Sequence, residues 1–496
     1  MSIHRQGSLT GPQADRAAGV LLGTACGDAL GAGYEFGQPL ADDQTVGMVG
    51  GGTFGWPPGE WTDDTSMAVA IAELTATGAD LRAPEVQDAL AARWVGWAAK
   101  ATDVGNQTRT VLSAVRADPT GEHLVAAATA VHQRSGISGG NGSLMRTAPL
   151  ALAYLHDPDG LVEAARAVSA LTHHDPEAGE ACVLWTLAIR HAVLHGTLDG
   201  LALDRLPDDR AAVWADRIAE AEGNPPRHFD RNGWVVQALQ GAWSAIVRTP
   251  IPDDDPGAGV VRAQHLQIAL EAAVRGGRDT DTVAAIAGGL LGARWGASAV
   301  PLAWQRAVHG WPGYRARDLI RLGLLTARNG QPDSAGWPRV PVFDYTFSGG
   351  TAALAQHPHD ERVWLGGIGA LRDLPDGVDA VVSLCRLGAD EVPAPGVAAP
   401  EHVEVWLVDS ADRDANPHLD HVLTQAADTV AALRAEGRTV LLHCVAAQSR
   451  TPTVAALYAA RHRGIPPTEA LGDVVAVLPD AHPNREFRAA VDRLGR

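Results

Sequence analysis

Gly276-Gly277-Arg278-Asp279-Thr280-Asp281-Thr282-Val283-Ala284-Ala285-Ile286-Ala287 puts two carboxylates and two hydroxyls directly before an apolar run. That is the pattern of a helix start, where hydroxyl and acidic side chains cap free N–H groups and suit the positive end of the dipole. The arrangement also stands far earlier, where Trp61-Thr62-Asp63-Asp64-Thr65-Ser66 precedes Met67-Ala68-Val69-Ala70-Ile71-Ala72. Capping accounts for either cluster alone. Two crowded pairs of carboxylates repel each other unless a cation neutralises them. Hydroxyl and carboxylate oxygens suit a hard divalent ion such as Mg²⁺ or Mn²⁺. Two clusters could jointly hold two ions, which can activate a water and orient a substrate's hydroxyls.

Around these clusters the first two thirds of the chain read as helix after helix. Residues 66–77, 161–171, 180–194, 234–247, 263–275 and 282–295 are rich in Ala, Leu and Val, with polar residues at helical intervals. Strand candidates are scarce before residue 340. Asn329-Gly330-Gln331-Pro332-Asp333 and Gly336-Trp337-Pro338 read as a linker. Beyond it, strand-like runs at 363–365, 380–384, 403–408 and 439–442 alternate with helical stretches at 419–436 and 453–463. This alternation indicates a largely parallel sheet. The expected architecture is a large all-α domain over 14–327, a linker over 328–350, and a small α/β domain over 351–496.

Composition narrows the function classes. The 496 residues are 46% hydrophobic and 20% charged, with a formal net charge of -18. An acidic chain does not attract nucleic acid or anionic lipid through its overall field, so general nucleic-acid binding is disfavoured. Cys26, Cys182, Cys385 and Cys444 form no C-x-x-C pair, which argues against a zinc knuckle or disulfide framework and suits a reducing cytoplasm. Met1-Ser2-Ile3-His4-Arg5 lacks the apolar core of a signal peptide, and no apolar stretch is long enough to span a membrane. A cytoplasmic location is expected.

Further motifs flank the acidic clusters. Gly27-Asp28-Ala29-Leu30-Gly31 leads to Glu35-Phe36 with little side-chain bulk. Ser138-Gly139-Gly140-Asn141-Gly142-Ser143-Leu144-Met145-Arg146 could let backbone N–H groups approach a diphosphate. With Asp103–Thr108 and Thr172-His173-His174-Asp175-Pro176, these ordered motifs resemble the ADP-ribosylglycohydrolase family over about residues 14–310. The resemblance implies an all-α, binuclear Mg²⁺ or Mn²⁺ hydrolase that frees ADP-ribose from a modified protein or other acceptor by cleavage at C1 of the distal ribose. It implies Thr62, Asp63, Asp64, Asp279, Asp281 and Thr282 as metal ligands, with Asp279 or Asp63 as base. Glu35 matches a glutamate that lies in a mobile flap over the site in some members. Ser138, Gly139, Gly140, Asn141, Gly142 and Ser143 would cradle the diphosphate, and His173 would face the distal ribose. Arg278 departs locally from the family's glycine pair before the first aspartate.

The C-terminal strand at 439–442 runs into His443-Cys444-Val445-Ala446-Ala447-Gln448-Ser449-Arg450-Thr451 and then a helix. The spacing H-C-x5-R-T lets backbone amides and a helix start curl around a tetrahedral anion, completed bidentately by the arginine. The cysteine at its base can attack phosphorus as a thiolate. Over about 340–496 the chain resembles the cysteine-dependent phosphatases of the dual-specificity and tyrosine class. That resemblance implies Cys444 as nucleophile, Val445 to Arg450 as phosphate cradle, Thr451 assisting the leaving thiolate, and His443 tuning the thiol. It also calls for a general acid upstream. Asp412 fits the spacing best, with Asp414 and Asp409 as alternatives. Cys385 reads as core. Substrates would be a phosphorylated protein or a small phosphate monoester; alternatively this half only binds phosphorylated partners.

Overall fold

The computed structural model describes residues 9–346 and 352–495. They divide into two compact units. The first contains the chain up to Pro250, His265–Val300 and Ala307–Gln331; the second contains Ile251–Gln264, Pro301–Arg306 and the chain from Pro332 onward.

The first unit is helical. Expected helices are found as Asp63–Thr75, Pro158–Ala170, Pro176–His195, Val235–Arg248, Gln264–Arg275 and Thr280–Trp295. A longer one was not anticipated. Gly11–Gly31 is capped by Thr10 and Gln13 reciprocally and is buried along nearly its whole length. It lies backbone against backbone with Thr280–Trp295. A Cβ on Gly23 would stand 2.3 Å from the Gly288 carbonyl oxygen, and one on Gly27 2.1 Å from that of Ala284. Gly19 meets Gly292 and Gly31 meets Asp281 in the same way. Glycine every fourth residue makes a flat stripe on one helix face. Only such a stripe allows this approach, and the approach sets Asp28 beside Asp281.

The second unit is α/β, as expected. Its sheet runs in the order Leu354–His357, Asp360–Gly366, Val440–His443, Ala380–Ser383, His402–Glu404. The first two strands pair antiparallel, and the other neighbours are parallel. The expected strand at 403–408 ends at Glu404. One further bond follows, from Val405 N–H to the Ser383 carbonyl, and the Leu407 carbonyl then turns to Arg450. Alternate residues of the central strand enter different cores. Val440 and Leu442 pack with Leu423 and Val454, while Leu441 packs with Val381 and Ile368. Helices Leu419–Ala435 and Arg450–Arg463 belong to the first of these layers. Arg306 belongs to this unit through a fork of hydrogen bonds to Glu401 Oε2 (2.7 Å), Glu436 Oε1 (2.6 Å) and the Pro400 carbonyl (2.9 Å). Among the described residues no helix is long and apolar enough to cross a membrane.

Gly23→Val should lower the melting temperature sharply, because branched bulk against the Gly288 carbonyl forces the two helices apart, at a cost of about 1–3 kcal/mol or more. Gly11→Ala, where an added Cβ meets nothing within 4 Å, should leave it nearly unchanged. Thermal unfolding followed by circular dichroism separates the two outcomes.

Candidate functional site

Within the acidic clusters Asp281 serves its own helix start, its Oδ1 accepting from Thr282 N–H (2.9 Å). Neither Thr62 nor Asp279, the N-cap residues, uses its side chain on its own helix start. Asp28, from the helix Gly11–Gly31, takes that role for Asp63–Thr75. Its Oδ1 accepts from Thr62 N–H (2.9 Å), and its Oδ2 accepts from Thr65 N–H (2.9 Å) and Thr65 Oγ1 (2.6 Å). Freed from capping, Thr62 Oγ1 donates to Asp64 Oδ2 (3.1 Å), and Thr282 Oγ1 reaches the same oxygen from the other helix (3.3 Å). Two triads of carboxylates result. Asp28, Asp64 and Asp281 offer oxygens within 4.8 Å of one another, as do Glu35, Asp279 and Asp281. Asp281 belongs to both.

Each remaining acid is positioned by a neighbour. Asp63 Oδ2 accepts from Gly105 N–H (3.0 Å). Asp279 Oδ2 accepts from Asn141 Nδ2 (2.8 Å), and its own N–H donates to Asn232 Oδ1 (3.1 Å). Arg278, in the left-handed region at φ 66°, exchanges backbone hydrogen bonds with Phe36 and Gly37 (2.5 and 2.9 Å). These main-chain bonds, which do not depend on the side chain at 278, hold the Glu35 segment beside Asp279.

The electrostatics are those of a site short of positive charge. Burial, then repulsion from Asp279, Asp103 and Asp63, pushes Glu35 up to about 9. Burial, then Asp103, pushes Asp63 up to about 8. Asp64 and Asp281 lie well above the carboxylate range, chiefly through burial, and Asp28 rises to about 6 for the same reason. Asp64 Oδ1 and Glu35 Oε2 are buried without a hydrogen-bond partner. Buried acceptors left empty are costly. Oxygen-only donors, two of them unsatisfied, fit a hard divalent cation, and these residues could hold one.

A cavity of about 480 Å³ adjoins them, lined by Glu35, Asp63, Asp279, Asp281 and Thr282 together with Gly140, Asn141, Gly142 and His173. Not all of the glycine-rich loop faces it. Ser138 Oγ pairs with His132 Nδ1 (2.7 Å), Cys182 donates to Ser143 Oγ (3.7 Å), and the Asn141 N–H is taken by the Gly233 carbonyl (3.1 Å). His173 packs beneath Gly140 and Gly142. Burial, then Arg146, holds it well below its usual range and therefore neutral. Sequence reasoning missed Asp28, Asp103 and Asn232 as site residues. An acid inside a run of small buried residues was the available signal for Asp28, because a buried carboxylate needs partners. Asn232 carried no signal.

In the second unit, Cys444 is buried at the end of the central strand. The loop to Arg450 turns at Ala447, φ 55°. Arg450 Nη1 donates to the carbonyls of Leu384 (2.6 Å) and Leu407 (3.3 Å), which aligns the guanidinium at the strand ends. Thr451 Oγ1 donates to the Gly366 carbonyl (3.4 Å). Asp409, of the three candidate acids, meets the loop. It accepts from Ser449 Oγ (2.7 Å) and stands 3.6 Å from Arg450 Nε. Asp412 instead accepts from Asp414 N–H (3.0 Å). His443 is held neutral, pushed down to about 4 by burial. Its tautomer follows from a relay. Ala394 N–H donates to His402 Nδ1 (3.0 Å), so His402 Nε2–H donates to Ser383 Oγ (2.8 Å). Ser383 then donates to His443 Nε2 (2.7 Å), leaving Nδ1–H for the Cys444 carbonyl (3.2 Å).

The chain belongs to the ADP-ribosylglycohydrolase family, whose model matches residues 10–333. It is 32% identical to the ADP-ribosylarginine hydrolase Tri1 of Pseudomonas putida (strain GB-1) over 312 residues, 61% of this chain and 76% of that protein. It is 29% identical to the ADP-ribosyl-[dinitrogen reductase] glycohydrolase of Rhodospirillum rubrum over 304 residues, 60% of this chain and 91% of that one. Among solved structures, human DUSP28 is 22% identical and covers 29% of this chain and 93% of its own, with a TM-score of 0.25. A score that low carries no assignment, and the reading of the second unit rests on its own residues.

The raised carboxylates set the sign of a pH effect. From about pH 4, where free carboxylates ionise, up to their folded values of about 8 for Asp63 and about 9 for Glu35, the metal-free fold keeps protons that the unfolded chain has released. Its stability therefore falls as pH rises through that window. Mg²⁺ or Mn²⁺ takes the place of those protons, so the melting-temperature gain on adding it should be larger near pH 8 than near pH 5. A gain that is equal at both, or larger at the lower pH, would contradict the site.

Proposed function

We propose that the first unit removes ADP-ribose from modified arginine and that the second hydrolyses a phosphate monoester. The observation that supports the first activity best is the pair of carboxylate triads sharing Asp281 beneath a cavity bounded by Gly140–Gly142. The arginine acceptor follows the named activity of the Pseudomonas putida relative. Asp28, Asp63, Asp64, Asp279, Asp281, Glu35 and the hydroxyls of Thr62 and Thr282 are the groups that would hold two Mg²⁺ or Mn²⁺ ions. Such ions, when bound, supply Lewis acidity and a water of lowered pKa. Gly140 and Gly142 make room for His173, and both line the cavity that would take the diphosphate. Neutral His173 beneath them can donate or accept a hydrogen bond toward the ribose. Asn141 and Asn232 fix Asp279, and Gly105 fixes Asp63. These two carboxylates are the bases available to take a proton from the attacking water. Water oxygen then bonds to C1 of the distal ribose, the bond from C1 to the guanidine nitrogen breaks with its electron pair going to that nitrogen, and the departing guanidine takes up the proton that the carboxylate removed from water. The products are ADP-ribose and unmodified arginine.

In the second unit the supporting observation is the Cys444–Arg450 loop closed between the central strand and a helix start. Cys444 Sγ attacks phosphorus, the bond to the leaving oxygen breaks, and a loop acid protonates that oxygen. Asp409 is the best placed for this because it already touches Ser449 and approaches Arg450. Water then releases phosphate and restores the thiol. The alternative, that the loop only docks phosphorylated partners, predicts phosphate binding without turnover.

A peptide carrying ADP-ribosylarginine should be hydrolysed in Mg²⁺ or Mn²⁺ and not after exhaustive chelation. Asp281→Asn should cut kcat roughly 100-fold or more, the scale of losing one fixed charge-stabilising group. Full turnover by the chelated enzyme would overturn the metal reading. For the other unit, Cys444→Ser should abolish aryl phosphate hydrolysis yet still bind vanadate. Asp409→Asn should slow substrates with poor leaving groups more than good ones, and more than Asp412→Asn does.

A further inference from the structure

A second cavity of about 470 Å³ in the first unit shares Asp63 and Asp103 with the one above the carboxylate triads. Its wall is aromatic: Trp56, Trp61, Trp97, Trp311 and Tyr314. None of these was singled out as a binding residue by sequence, although Trp61 directly precedes the first acidic cluster. The indole N–H groups of Trp56 and Trp61 are buried and have no hydrogen-bond partner. Tryptophan usually buries its N–H against an acceptor; the Trp61 nitrogen packs against Gly310 instead. Glu60 and the shared carboxylates of Asp63 and Asp103 add negative charge. Lys100, the only lysine in the chain, is exposed at the edge.

The geometry points to this chamber as the site for the acceptor side of the substrate: an arginine side chain of the modified protein and its adjoining main chain. The inference rests on the glycohydrolase reading above. With ADP-ribose in the cavity that holds Gly140 and Gly142, the bond to be cut lies near Asp63 and Asp279, and the leaving group needs a space that meets this cavity at those carboxylates. The second cavity begins there, at Asp63 and Asp103. A guanidinium is planar and cationic, stacks on aromatic faces and pairs with carboxylates. Trp97 and Trp311 offer the faces, and Asp103 and Glu60 the charge. Lys100 at the edge favours acidic residues beside the modified arginine and disfavours basic ones.

The probe is agmatine, a free alkyl guanidinium, added to the full-length protein and read by tryptophan fluorescence, with N-butylurea as a neutral planar control. Agmatine should perturb the fluorescence saturably and N-butylurea should not. Trp311→Ala, a half-buried position, should weaken agmatine binding at least tenfold and raise KM for an ADP-ribosylarginine peptide by a similar factor, while the Kd for ADP-ribose stays within twofold. Lys100→Glu should reverse the preference between peptides with acidic and basic flanks. The inference is overturned if agmatine and N-butylurea behave alike, if Trp311→Ala leaves agmatine binding unchanged, or if that variant loses ADP-ribose affinity to the same degree, which would place ADP-ribose in the chamber. Failure of the function reading looks different: wild-type protein would leave the arginine linkage intact while agmatine still bound in a Trp311-dependent way.

Discussion

Backbone-to-backbone packing of Gly11–Gly31 on Thr280–Trp295 is the constraint on which the N-terminal site depends. Side chains on ordinary helices hold the axes 8–10 Å apart. Here Gly19, Gly23, Gly27 and Gly31 remove that spacer, with Gly288 and Gly292 removing it from the other side. The close approach brings Asp28 from one helix to Asp281 on the other. Asp28 also holds the first turn of a third helix through Thr62 and Thr65. Three helices therefore converge on one group of carboxylates, and a change of register in the glycine stripe would separate them.

The convergence is electrostatically unfavourable by itself. Hydrophobic packing and helix geometry force acids together that would rather be apart, and burial raises most of them toward the neutral form. The unsatisfied oxygens of Asp64 and Glu35 show where a cation would be most strongly held. Arg146 gives the cluster only an electrostatic attraction to Asp63. It is fully buried, stacks 4.1 Å from the Trp94 ring and donates to Thr172 Oγ1 and the Val168 carbonyl. In the second unit Arg450 is held at the strand ends by the carbonyls of Leu384 and Leu407, at the start of the helix that follows the Cys444 loop.

The two acidic clusters were readable in the sequence because each places several chemically unusual residues within one turn, and the strand–loop–helix order around Cys444 was readable in the same way. The α-then-α/β order was readable from periodicity. The longest element near the site was not. Gly11–Gly31 is apolar or small on every side, so it shows no amphipathic period, and its glycines read as loop. Asp28 was hidden with it. Asn232 was unreadable because its role lies in reaching Asp279 across the fold. Spacing upstream of Cys444 offered three aspartates with Asp412 first, but spacing along an irregular loop does not say which side chain folds back. The structure turns Asp409 to the loop and uses Asp412 to hold Asp414. The segments 251–264 and 301–306 read as parts of the helical half. Their inclusion in the second unit depends on contacts such as the Arg306 fork, to which no local pattern points.

The central claim is that the helix pair builds a cage for divalent cations rather than a set of helix caps. Crystals grown with Mn²⁺ and measured at the manganese absorption edge test it most directly. The account predicts anomalous peaks within bonding distance of Asp281, one shared with Asp64 and the other with Asp279 or Glu35. Manganese found elsewhere, or none at these carboxylates in protein that hydrolyses ADP-ribosylarginine, would contradict it.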